Sequence, residues 1–387
     1  MKLGSERMKG VVESATVALS DKARLLAQQG VDVINLAGGD PDFATPAHVT
    51  AAAFEAIQKG ATHYVSSRGI PPLLSAIAAK YEREQGLKYD PNREVLVTAG
   101  GKMGIYAAIM GTLDRGEEVL LPEPAWVSYV PMIQLADAVP VPVPLDGADN
   151  FRLTRQALEA RITPRSRLIL VNSPNNPTGR VLTRAEVEAV AEVALAHDLL
   201  VISDEIYEKL LFDGRQHISI ATLPGMRERT IIVNGLSKSH AMTGWRLGFA
   251  LAPRPIMDGM LKVQQHTATC AAAFTQAAGV AALNGPQDCV SDMVNVYQQR
   301  RDLIVEGLNS LPGVRCAAPE GAFYAFPNVA GTGMTSEQFC AFILDKAQVV
   351  MTPGSAFGAT GEGFVRLSFA NATDLLAETV RRMRQVL

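Results

Sequence analysis

Between residues 95 and 251 the chain repeats one pattern, a short run of β-branched and aliphatic residues followed by a stretch with helical periodicity. The runs are VLVTAG ending at Gly100, EEVLLPEP near 120, VPVPVPL near 142, LILVNSP near 170, LLVISDEIY near 203, TIIVNGLS near 234 and LGFALAP near 250. The clearest helical stretch follows Leu182. There Thr183 and Glu186 stand at capping-box spacing, and Val187, Val190, Ala191 and Ala194 share one face up to His197. Strands that alternate with helices are joined by crossovers, which gives a mostly parallel sheet covered on both faces. An α/β fold is therefore expected.

Residues up to about Gly38 and those after about Gly285 depart from the alternation and mix helices with shorter strands, so they are expected to come together as a second unit. The last helix, from about Thr373, puts Leu376, Val380, Met383 and Leu387 on one stripe, with Arg381, Arg382 and Arg384 suited to its C-terminal dipole end. A chain of 387 residues can bury most of its apolar surface in one large or two medium domains.

Composition matters for what it excludes. The 36 basic and 39 acidic residues are interspersed, so nothing builds the one-sided basic field that nucleic acid or an anionic membrane would need. A small-molecule partner is expected instead. Cys270, Cys289, Cys316 and Cys340 form no C-x-x-C pair and no short histidine spacing, and they read as free thiols with no metal site. The start MKLGSERMKG is charged, and no run of eighteen apolar residues occurs, which points to the cytoplasm.

In an open parallel sheet, ligands bind beyond the carboxyl ends of the strands. Four of the runs end in chemistry. Gly100 and Gly101 open a helix whose unpaired N–H groups suit a phosphate, although a tight turn is the commoner meaning of Gly-Gly. NSPNNPTGR offers the amide of Asn176 to a ligand oxygen, or is simply a turn rich in Asn and Pro. Asp204 ends the apolar run LLVI, where a carboxylate is costly unless paired; a protonated pyridine nitrogen would pair it, and a helix N-cap is the plainer reading. Lys238 lies among small and hydroxylated residues, and Arg246, eight residues later, could clamp a phosphate by a bidentate fork.

Together the four supply what pyridoxal 5'-phosphate needs: a phosphate cradle, a carboxylate for the ring nitrogen, donors to the phenolic oxygen and a Schiff-base lysine. With the motif SKSHAMTGWRLG at 237–248, and NPTG at 176–179 followed by SDEIY, the sequence resembles the class I/II aminotransferases of fold type I over essentially its whole length. The resemblance implies a large domain, 41–287, built on a mostly parallel seven-stranded sheet. It also implies a smaller α+β domain, 288–387, with residues 1–40 as an N-terminal arm that forms part of it.

It implies roles as well. Lys238 is the Schiff-base lysine, Asp204 pairs with the pyridinium nitrogen, and Tyr207 and Asn176 reach the phenolic oxygen. Gly101, Lys102, Ser237 and Arg246 hold the phosphate side, and Trp126 stacks on the ring unless it is simply a core residue. Tyr64 reaches the phosphate of a neighbouring subunit, which implies a homodimer. Arg366, with the backbone of Gly39 and with Asn176, meets the substrate's α-carboxylate, and the reaction is ping-pong. ESATVAL around Ser14 and Thr16, together with Lys102, resembles the bacterial aspartate aminotransferases, in which a lysine here reads a second carboxylate. Aspartate or glutamate with 2-oxoglutarate is the favoured pair.

Three residues depart from the family pattern: Gly235 where many relatives carry a phosphate-binding serine, Asp40 in place of a common glutamate, and Arg68 in a loop of usually small residues, where it is expected either to alter substrate choice or to be a solvated loop arginine. The same residues would also serve an aminotransferase for another amino acid (aromatic, alanine, prephenate or arogenate), or a lyase or synthase of the same fold. A PLP-sensing regulator is disfavoured, because no DNA-binding domain fits before Gly38.

Overall fold

The computed structural model describes residues 4–387. Its strands, in chain order, are β1 (Ile34–Asn35), β2 (Val95–Thr98), β3 (Glu118–Glu123), β4 (Val139–Pro144), β5 (Ser166–Asn172) and β6 (Leu200–Asp204). They continue as β7 (Thr230–Gly235), β8 (Gly248–Leu251), β9 (Tyr324–Ala325), β10 (Val349–Val350), β11 (Thr352–Pro353) and β12 (Val365–Ser368). Seven of them form one sheet in the order β2-β8-β7-β6-β5-β3-β4. These seven are the runs read from the sequence. Only β8 runs antiparallel to its neighbours, β2 and β7. The remaining pairs are parallel. The fold is therefore α/β, as expected.

Both faces of the sheet are covered. On one side the helices Gly101–Thr112 and Arg254–Gln265 bury Ile105, Ile109, Met257 and Met260 against Leu96, Leu170 and Ile202. On the other side the helix Arg184–Ala196 buries Val187, Val190 and Ala194 against Leu120, Val171 and Val201. Its start carries the expected box, because Thr183 Oγ1 accepts from Glu186 N and Glu186 accepts from Thr183 N. Such a cap contributes about 1 kcal/mol. The helices Pro71–Gln85 and Ala273–Asn284 pack together at the β2–β8 end, with Leu73, Ile77 and Ala278 buried.

A further apolar cluster gathers the helices Asp288–Asn309, Ser336–Ala347 and Thr373–Arg384 around the small sheet β11-β12-β9. Leu376, Val380 and Met383 face it as their spacing predicted, and Leu387 lies half-buried against it. Ile34 and Leu36 join from the N-terminal side, and β1 pairs in parallel with β10. Tyr207, Leu210 and Phe212 reach into the same cluster from just beyond β6. The carboxyl ends of β5, β6 and β7 therefore open towards β9 and β12. Among the described residues no helix is long and apolar enough to cross a membrane.

Candidate active site

A cleft of about 470 Å³ lies at those strand ends, a size that suits a cofactor with a small substrate. It is lined by Lys238, Asp204, Tyr207, Asn176, Arg366 and Tyr324, with Gly39, Gly101, Lys102, Trp126, Ser237, Arg246 and Thr16 around them. Two predicted residues stay outside. Ser14 does not line the cleft, although its hydroxyl lies 3.1 Å from that of Thr16. Tyr64 is 86% exposed and does not enter the cleft of its own chain.

Lys238 stands three residues beyond β7, and its Nζ donates to the Gly39 carbonyl. The rings of Phe323 and Tyr207 lie 5.6 and 6.0 Å from the amine. Loss of solvent pushes its pKa down to about 8, against the opposing pull of Asp40. A lysine so placed carries an appreciable free-base fraction near neutrality, as a nucleophile or proton acceptor requires.

Asp204 closes β6 with 4% of its surface exposed. No helix follows it, so it is not an N-cap; its Oδ1 accepts from Ile206 N at 3.3 Å and its Oδ2 from the Tyr129 hydroxyl at 2.7 Å. Burial nevertheless pushes its pKa up to about 6. Asn172, at the end of β5, donates to the Asp204 carbonyl at 2.9 Å and fixes the strand end. The neighbouring Glu205 is fully buried. It accepts from Ser219 at 2.6 Å and Ser203 at 3.1 Å and pairs with His217 at 3.3 Å, while Lys80 meets Glu208 beside it at 2.5 Å.

Arg366, in β12, is 2% exposed. Nη1 donates to Asn176 Oδ1 at 3.0 Å and Nη2 to the Ala37 carbonyl, while Nε has no partner among the described residues. The rings of Tyr324 and Phe357 lie 4.5 and 5.1 Å from its carbon. Among the described residues no carboxylate pairs with it. A buried guanidinium met only by neutral groups is costly unless an anion completes it.

The helix Gly101–Thr112 begins at Gly100, whose φ of +85° favours glycine. Arg246 lies so close over Gly100 that a Cβ there would collide with the guanidinium. Helix N–H groups and an arginine thus converge, as an anion cradle needs. Lys102 in the first turn holds its Nζ 4.9 Å from the Trp126 ring, and its pKa is lowered by desolvation and then by Arg246. Amine, buried carboxylate and anion cradle all face one cleft, so the residues present fit pyridoxal phosphate.

The three departures resolve differently. Gly235 pairs with Gly248, and a Cβ on it would come 2.9 Å from the Leu247 carbonyl, so a serine there would require the local backbone to shift. Asp40 lines the cleft and accepts from Thr243 at 2.5 Å. Arg68 does not line the cleft of its own chain and is only partly exposed. Its Nη1 donates to the Arg93 and Val95 carbonyls, each at 3.2 Å, and so ties its loop to the start of β2. Tyr129, Asn172 and Tyr324 are site residues that the sequence did not single out. Each sits in an ordinary apolar or turn context, and only the fold brings it to the cleft.

The sequence profile described as "Aminotransferase class I and II" matches residues 31–382. An aspartate aminotransferase from Musicola paradisiaca is 43% identical over 97% of this chain and 94% of its own. An aromatic-amino-acid aminotransferase from Thermococcus litoralis is 42% identical over 99% and 98%. Among solved structures, the aspartate aminotransferase from Thermus thermophilus with maleate superposes with a TM-score of 0.95, at 38% identity and with both chains fully covered.

Proposed function

Because this chain belongs to the class I and II aminotransferases, and is itself an aminotransferase, we propose that it holds pyridoxal 5'-phosphate on Lys238 and transfers the amino group of aspartate or glutamate to a 2-oxo acid such as 2-oxoglutarate. Bound there, the cofactor supplies an aldehyde to receive the amino group and an electron sink for charge that develops at the substrate's α-carbon.

The observation that carries the substrate class is Arg366, a buried guanidinium with an unpartnered Nε and no carboxylate beside it. An α-carboxylate common to amino and 2-oxo acids would complete it by a bidentate pair. Asn176, already bonded to Nη1, holds the fork in place. Lys102 and Thr16, which line the same cleft, offer a second carboxylate its partners, which is why a dicarboxylic donor is favoured.

Asp204 would hold the ring nitrogen's proton, Tyr207 and Asn176 would donate to the phenolic oxygen, and the helix start at Gly101 with Ser237 and Arg246 would take the phosphate. Lys238, freed when substrate displaces it, would move the proton from the α-carbon, a task suited to an amine with a pKa near 8. Trp126 would cover one face of the ring.

The exposed Tyr64 supports a homodimer in which it completes the partner's phosphate site, and the free thiols fit a cytoplasmic setting. The apolar cluster built mostly from residues beyond 288, with Ile34 and Leu36 joined to it, supports the division at 287/288 and the grouping of residues 1–40 with the smaller unit, although Tyr207, Leu210 and Phe212 also reach into it. Half-reactions with a panel of amino acids, followed by absorbance as the aldehyde cofactor converts to the amine, test the reading. Aspartate and glutamate should react fastest. Equal or faster conversion by alanine or phenylalanine would refute the dicarboxylic preference, and no conversion by any amino acid would refute the whole.

A further inference from the structure

Tyr324 touches three parts of the site at once. Its hydroxyl lies 2.9 Å from that of Tyr207. Its ring lies 4.5 Å from the Arg366 guanidinium carbon. A Cβ placed on Gly39 would come 2.5 Å from its hydroxyl, so only glycine lets that strip of backbone approach. Tyr324 is 1% exposed and is held in β9 by pairing with Ser368 of β12.

Burial pushes the pKa of both tyrosines up, so both are neutral phenols with one proton each. One hydrogen lies between the two oxygens and the other is left for a third partner. The guanidinium on the Tyr324 ring draws electron density from its hydroxyl and makes it the better donor. If Tyr324 donates, the Tyr207 hydrogen is left to point into the cleft that Tyr207 lines. A hydroxyl that accepts one hydrogen bond also donates a second more strongly.

We propose that Tyr324 is a positioning residue that fixes the direction of the Tyr207 hydroxyl proton and, through its ring, the Arg366 guanidinium, and so couples cofactor tuning to carboxylate recognition. The inference rests on the reading that Lys238 carries the cofactor and Tyr207 donates to it. The two functions of Tyr324 are separable, because phenylalanine keeps the ring and discards the hydroxyl.

The test is a pH titration of the lysine-bound cofactor's absorbance in holoenzyme, together with steady-state kinetics, for Tyr324→Phe and Tyr324→Leu. Weaker donation to the phenolic oxygen stabilises the protonated chromophore, so Tyr324→Phe should raise its pKa by about one unit, with KM for the amino acid changed less than about threefold. Tyr324→Leu should show the same spectral shift and raise KM about tenfold or more. An unchanged chromophore pKa in Tyr324→Phe overturns the proton-direction role, and an unchanged KM in Tyr324→Leu overturns the coupling to Arg366. If wild-type protein forms no reducible lysine chromophore, the underlying reading fails instead. Thermal melting of both variants separates these effects from a loss of fold.

Discussion

The hydroxyl of Tyr129 donates to Oδ2 of Asp204 at 2.7 Å, with both side chains sealed from solvent at the carboxyl end of β6. Even with this donor, desolvation dominates and leaves the carboxyl with a pKa of about 6. A positively charged ring nitrogen would offset that cost directly.

The Asp204 carboxyl should therefore contribute a loss of stability to the cofactor-free protein as pH rises from about 4 to about 6, over the range in which the buried His240 imidazole, pushed down to about 4, contributes a gain. An unfolded aspartate titrates near 3.9. The folded form holds the proton more tightly, so its contribution is full below about pH 4 and is lost as pH passes the folded value. The upper limit is about 3 kcal/mol. The urea-denaturation midpoint of the wild type relative to that of Asp204→Asn should fall across this range, His240 being common to both; parallel curves would contradict the assignment. In the holoenzyme, Asp204→Ala should lower the rate by about three orders of magnitude or more.

Lys238→Ala should abolish the absorbance band that borohydride bleaches and lower turnover by about 10³ or more. Peptide mapping of the reduced wild-type protein should find the cofactor on Lys238. A label on another lysine would contradict the proposed attachment.

Arg366→Lys keeps the charge but loses the fork. KM for every amino and 2-oxo acid should rise about 10- to 100-fold, with the melting temperature little changed, because a bidentate, buried guanidinium is not replaced by a point charge. A rise confined to dicarboxylic substrates would place Arg366 at the wrong carboxylate.

Lys102→Ala should lower kcat/KM for aspartate about tenfold while leaving a neutral amino acid within about twofold, the cost of one partly exposed ion pair. Equal losses for both substrates would mean that Lys102 acts on cofactor rather than on the second carboxylate.

Gly235→Ser should cost about 1–3 kcal/mol, since its Cβ meets the Leu247 carbonyl at 2.9 Å and Gly248 Cα at 3.1 Å. A drop in melting temperature reports this. An unchanged melting temperature would show that β8 can yield.

Much of the main sheet was legible because each of its strands is a local apolar run bounded by turn or helix signals, and Asp204 and Lys238 could be singled out because they sit at or just beyond the ends of such runs, with Arg246 eight residues after Lys238. Strand order was not, since the neighbours β2 and β8 are separated by most of the sheet's sequence. Tyr324 was hidden for a related reason. Nothing in GAFYAF distinguishes it from core, and its importance arises only when β9 is laid beside β12. Arg68 is less solvated than a loop arginine usually is, because it finds two backbone carbonyls that its local sequence does not show.

The reversal of direction between β7 and β8 makes the segment bearing Lys238 a hairpin connection between adjacent strands. Elsewhere in the sheet, most successive strands are linked over the faces by helices whose length and surface can drift. The reactive amine is insulated from that drift, because the two ends of its connection are stitched to each other by the pairing of β7 with β8. Lengthening, trimming or redecorating the outer helices would leave the spacing of its anchor points intact, so such a scaffold can diversify its exterior without recalibrating its chemistry.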